Sequence, residues 1–269
     1  MSQLLLKTWV NILNKTCSNC AYKWVKSHML RPVETHHKWP KSIKRTVYKT
    51  KFGKLRTYQA GHGKCIWLVH GWSNAHEYWP LIEKLLKQGY QCIAIEMLPS
   101  KSKEKVLSLP NWINAFDIAT RSLPEPTHVV AHGLAASILG NSLWLSRYQE
   151  NLTLLSPVLN FDMSVGRYCK RKGLPDNMLN RLKRDMYKQD KIKLSRLNAT
   201  QAINDYDGEL TIFYSKKDDI STVGAIDDLS QRSNQRIVQF KGADSSRIIN
   251  SRSLMSVIRQ QPKALDITL

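Results

Sequence analysis

Acidic residues are scarce in this chain: 21 Asp and Glu stand against 41 Lys and Arg, a formal net charge of +20 over 269 residues. That excess excludes an acidic, solvating class and calls for an anionic partner. Long apolar runs are absent too. None approaches the ~18 residues that a membrane-spanning helix needs. The P-loop and the G-x-G-x-x-G fingerprint are missing, as are internal repeats and low-complexity tracts, and no cofactor is expected. Cysteine is sparse and odd in number: Cys17, Cys20, Cys65, Cys92 and Cys169. Two of these fall in expected buried strands, which argues for free thiols, a reducing compartment and a cytoplasmic location rather than a disulfide framework. The Cys17-x-x-Cys20 pair lacks a second pair and a following βαβ unit, so it reads as helix-face packing. No metal-ligand spacing occurs; the adjacent His36 and His37 lie in a linker.

The positive charge is confined to two segments. Residues 1–56 hold 13 Lys/Arg and one acid, Glu34, and residues 167–196 hold 11 Lys/Arg and three acids, Asp176, Asp185 and Asp190. The remainder is neutral. Such segments suit an anionic membrane surface or an acidic protein. Nucleic acid is the least favoured partner, since no RRM, helix-turn-helix or OB signature is present. A basic solubilising surface is the plainer alternative. At the start, Leu5, Leu6, Trp9, Ile12, Leu13, Cys17 and Cys20 recur at helical spacing. The stretch lacks a basic n-region and a cleavage site, so it reads as an amphipathic helix, not a signal peptide. It packs on the body or lies on a membrane, packing being favoured.

A β/α rhythm follows. "RTVYKTKFGKLRTYQAG" alternates on both sides of Phe52-Gly53, as a β-hairpin does. "KCIWLV" (64–69), "YQCIAIEM" (90–97), "THVVA" (127–131), "LTLLS" (152–156), "LTIFYS" (210–215) and "RIVQF" (236–240) are short apolar runs suited to strands buried on both faces. Between them lie expected helices: one from the N-cap Asn74 to Gly89, one over Trp112, Ile113, Phe116 and Ile118, one over 134–148, one through Ala225 and Leu229, and one from Ser246. Residues 157–206 break the rhythm with basic helices, where Met178, Leu179, Leu182 and Met186 recur at helical spacing. The fold class is α/β, a mostly parallel sheet flanked by helices. The domains are a basic N-terminal helix and linker (1–43), a core (44–156 and 207–269) and a helical cap (157–206).

Three stretches in order, "LVHGW" (68–72), "VVAHGLAAS" (129–137) and "FYSKKDDIS" (213–221), resemble the α/β-hydrolases over roughly residues 44 to 260. The resemblance implies an oxyanion loop at His70-Gly71 with Trp72 N–H as one donor. The N–H of Leu134, after the elbow apex, would be the other. Each such donor contributes about 10²–10³ in rate. It also implies an acid after a late strand. Asp218 holds that place, with Asp219 as fallback, although Asp218 is equally read as a turn or N-cap aspartate.

Two positions depart from the family. The elbow string is Ala131-His132-Gly133-Leu134-Ala135, with Gly133 where the nucleophilic serine belongs. Ser245 stands where the catalytic histidine is expected. No histidine lies beyond His132, so the order Ser…Asp…His cannot be completed. Ser73, Ser137 and His132 remain near the motif, His132 reading mainly as a packed strand-end residue. Cys65 and Cys92 are expected to be inert. The expected protein is a degenerate, non-catalytic hydrolase-fold protein that binds a ligand or partner, an acyl or apolar small molecule being one candidate. Its alternatives are an ester or acyl hydrolase with a non-standard catalytic set, and a peripheral membrane or acidic-partner binder.

Overall fold

A computed structural model describes residues 3–29, 38–71, 75–98, 107–171, 173–215, 226, 229, 233–240 and 246–259. Eight strands form one sheet in the spatial order β1-β2-β4-β3-β5-β6-β7-β8. They are β1 (Lys44–Lys49), β2 (Lys54–Ala60), β3 (Cys65–His70), β4 (Gln91–Met97), β5 (His128–His132), β6 (Asn151–Leu155), β7 (Glu209–Tyr214) and β8 (Gln235–Gln239). β1 and β2 run antiparallel to their neighbours; β4, β3, β5, β6, β7 and β8 are parallel. The hairpin turns where expected, because the Thr50 hydroxyl accepts from the backbone N–H groups of Phe52 and Gly53. The central strands are buried along nearly their whole length because helices cover both faces.

On one face pack α3 (Trp79–Leu86), α9 (Ser246–Ile249) and α10 (Arg252–Ile258), through Leu81, Ile82, Leu85, Ile248, Ile249 and Leu254. On the other pack α4 (Leu109–Ala119), α5 (Ala135–Gly140) and the insertion between β6 and β7. The insertion holds α6 (Phe161–Arg171), α7 (Asp176–Asp190) and α8 (Thr200–Asn204). Met178, Leu182 and Met186 bury one face of α7, as their spacing predicts.

The N-terminal segment differs from its sequence reading in three ways. One helix was expected, and two form: α1 (Gln3–Thr16) and α2 (Ser18–Met29). Trp9 and Trp24 would stand about 22 Å apart on a straight helix at 1.5 Å per residue. Their ring centroids are 4.7 Å apart, so the helices fold back on each other. The buried side is therefore Val10, Ala21, Tyr22 and Val25, while Trp9 and Ile12 of the expected apolar stripe are exposed. Finally, Cys17 and Cys20 are joined as a disulfide rather than free, their Cα atoms 5.3 Å apart. Cys17 sits just before α2 and its sulfur accepts the Cys20 N–H, a helix-start geometry that sets the two sulfurs together. Cys65, Cys92 and Cys169 are free and buried.

Three helices also depart from expectation. The run after β3 begins as a 3₁₀ turn, Ala75–Tyr78, before α3, with Pro80 in the first turn of α3. Ile118 of α4 points outward instead of into the core. The helix expected over 134–148 ends at Gly140. The helix expected through Ala225 and Leu229 lies largely outside the described residues, as do Asn74, His36 and His37.

Candidate active-site cleft

Gly133 has φ of +58°, the left-handed region that side-chain-bearing residues avoid. It joins β5 to α5 in a sharp strand–turn–helix. Three backbone bonds fix the turn: Gly133 N–H donates to Leu155 O at 2.9 Å, and Gly133 O accepts from Ala136 N–H at 3.2 Å and Val158 N–H at 3.0 Å. Among the described residues, no atom lies within 4 Å of a Cβ built on Gly133. Ser137 is fully buried and its hydroxyl donates to Val158 O, which removes it as a nucleophile and ties α5 to the end of β6.

Gly71, the first residue after β3, packs closely against the elbow. A Cβ on Gly71 would lie 2.6 Å from Ala135 N and 2.8 Å from Leu134 Cβ, so only glycine permits this approach. Among the described residues no group accepts the Leu134 N–H. It therefore remains a donor beside the apex. Trp72, Ser73, Asp218, Asp219 and Ser245 lie outside the described residues.

A polar row crosses the rim of the sheet. Register places Arg56 beside Glu96, Glu96 beside His70 and His70 beside His132, on the face that carries α3. Arg56 Nη1 is 2.8 Å from Glu96 Oε1, both groups being buried. Glu96 Oε1 also accepts from the Tyr58 hydroxyl, and burial raises the pKa of that phenol. Glu96 Oε2 accepts the Ala75 N–H at 2.9 Å, which pins the 3₁₀ turn to the sheet. That turn carries Glu77, whose Oε2 is 3.1 Å from His70 Nε2. His70 Nε2 is in turn 3.1 Å from His132 Nδ1. His132 thus meets His70 across the ends of β5 and β3.

Glu77, Glu96 and Arg56 were not singled out from the sequence. The available signal was that the buried strands β3 and β5 end in His and that a Glu stands next to last in β4. Ser156, just past β6, is a further unforeseen feature. Its φ is +45° and its buried hydroxyl has no hydrogen-bond partner among the described residues. Cys65 and Cys92 are inert as expected, because burial pushes their thiols up to about 11 and about 12. A polar cavity of about 320 Å³ opens elsewhere, at the N-terminal ends of β5 to β8, where His128, Thr153 and Glu209 line it. It lies at the opposite end of the strands from the elbow.

No family model matches the chain, and no curated protein is similar to it in sequence. Solved structures do match. An esterase of Pyrococcus furiosus superposes with a TM-score of 0.56 at 18% identity, over 87% of this chain and 96% of that one. The thioesterase domain from the curacin biosynthetic pathway gives 0.57 at 12% identity, over 81% and 99%. A carboxylesterase of Bacillus subtilis gives 0.52 at 14%, over 88% and 95%.

Proposed function

We propose that this chain, which has the α/β-hydrolase fold, binds an acyl or apolar small molecule at the elbow and does not cleave it through an acyl-enzyme. The observation that carries this reading is Gly133, at an apex with φ of +58° and no described atom within 4 Å of where a side chain would begin. The elbow geometry stays while the attacking atom is gone. The Leu134 N–H, with no acceptor among the described residues, supports retention of a carbonyl oxygen. The test is hydrolysis of short acyl esters by wild type, Gly133→Ser, and Gly133→Ser with Ser245→His. Turnover is expected in the double variant alone. Wild-type turnover that disappears on substituting a residue of the cleft would overturn the reading.

One observation favours an alternative, an ester or acyl hydrolase with a non-standard set. His70 stands 3.1 Å from both Glu77 and His132 on the same rim, an acid–base group next to the elbow. Wild-type activity lost in Glu77→Gln would favour it.

The basic segments support a second, compatible proposal, an anionic membrane surface as partner. Tyr22 of α2 donates to Asp185 of α7 at 2.6 Å, and Arg181 stacks over the Tyr22 ring at 3.9 Å. This docking sets the two basic segments side by side.

A further inference from the structure

The geometry points to a divalent transition-metal site formed by His70, Glu77 and His132. Their ligand atoms, two imidazole nitrogens and a carboxylate oxygen, all lie within 4.8 Å of one another. Two of the three separations are 3.1 Å. In a tetrahedral site with bonds of ~2.0–2.1 Å, neighbouring ligand atoms stand about 3.3 Å apart. The side chains need to part by only a few tenths of an ångström to admit an ion. Glu77, whose side chain is 37% exposed, has room to turn and close the third edge.

Proton placement favours a cation at the centre. His70 Nε2 faces the Glu77 carboxylate and His132 Nδ1 at the same distance. If Nε2 carries the proton, it serves one acceptor well and the other poorly. If His132 Nδ1 carries it instead, the bare Nε2 lone pair faces a carboxylate. If both carry protons, two N–H groups oppose each other. A metal ion satisfies all three lone pairs together.

The surroundings hold the ligands as a metal site requires. His70 is 4% exposed and packs against the Tyr78 ring, whose hydroxyl donates to Val69 O at 3.0 Å. The turn that carries Glu77 is anchored by Glu96 through Ala75 N–H, and Glu96 by Arg56. These contacts orient the ligands from behind. Two histidines and one glutamate leave a coordination position for water or a ligand oxygen, and the set suits Zn²⁺. His132 directly precedes Gly133, so this position belongs to the elbow end of the sheet.

Metal binding is read directly, so the outcome does not depend on whether any ester is cleaved. Untagged, metal-free protein is titrated with Zn²⁺ by calorimetry, and with Co²⁺ by visible absorption. One equivalent is expected to bind, with Co²⁺ d–d bands and no thiolate charge-transfer band. Glu77→Gln and His132→Asn should each weaken Zn²⁺ binding by about tenfold or more. Circular dichroism melts establish that both variants are folded, Glu77 being the more exposed position. Cys17→Ser with Cys20→Ser, and His36→Asn with His37→Asn, should leave the equivalent intact. The site is overturned by a lack of saturable binding, by binding that survives both Glu77→Gln and His132→Asn, or by binding lost with the cysteine or adjacent-histidine pairs.

Discussion

His128 opens β5, and its Nε2 lies 2.8 Å from Thr153 Oγ1 while Nδ1 has no hydrogen-bond partner among the described residues. Burial pushes its pKa down to about 3. A histidine in the unfolded chain takes up its proton near pH ~6.5. Between these values the unfolded state binds more protons, so acidification destabilises the fold by about 1.4 kcal/mol per pH unit. Above pH ~6.5 the residue contributes no pH dependence. His128→Gln is expected to shrink the stability difference between pH 7 and pH 5 by about 2 kcal/mol, read by urea denaturation. An unchanged difference would count against a buried neutral His128. The sequence placed this histidine in a strand expected to be buried; its partner Thr153 on β6 came from strand register.

Among the elements, α5 is much shorter than its apolar pattern suggests. Apolar residues continue past Gly140, so the pattern reads as helix to residue 148. The chain instead turns, because Asp117 of α4 accepts the backbone N–H groups of Leu143 and Trp144 at 3.1 and 3.0 Å. Asn141 and Ser142 close the end, donating to the carbonyls of Ser137 and Leu139. A carboxylate 26 residues upstream of Leu143 is a tertiary partner that periodicity cannot report. Asp117→Ala leaves two N–H groups without their acceptor, and a loss of about 3 kcal/mol is expected by chemical denaturation. The strands behaved differently. Their apolar runs are short and bounded by turns, and all eight formed within a residue or two of their expected places.

For the molecule as a whole, the docking of α2 on α7 changes what the charge distribution means. Two basic segments more than 100 residues apart in the chain become one surface. Tyr22 and Lys26 meet Asp185 on it, and Arg181 donates to Asn19 at 2.9 Å. Arg184, Tyr187 and Lys188 line an exposed face of α7 at helical spacing, and Lys191, just past its end, is exposed too. Lys15 and Lys23 are exposed on the helical hairpin, as are Trp9 and Ile12. Charge beside exposed apolar side chains suits an anionic lipid interface. Vesicles containing phosphatidylserine are expected to co-sediment the protein, with binding falling as salt rises. Neutral vesicles should not. Equal binding to both, or binding unchanged by removal of residues 1–30, would remove the membrane as the partner of this surface. No described helix is long and apolar enough to cross a membrane.

Local pattern and chain order carried much of the reading. Short continuous apolar runs bounded by turn residues marked the strands buried on both faces, so the parallel sheet was legible. The small residues Ala131, Gly133 and Ala135 marked the elbow, and the absence of histidine after residue 132 ruled out the usual triad without any coordinates. Folding supplied what depends on separations that no local pattern encodes. His70 and His132 are 62 residues apart and meet through strand register, while Glu77 reaches them because Glu96 clamps its turn to the sheet. The fold-back at Cys17 likewise decided which residues of the first helix are covered, burying Val10 and leaving Trp9 and Ile12 exposed, since an amphipathic stripe names an apolar face but not what will cover it.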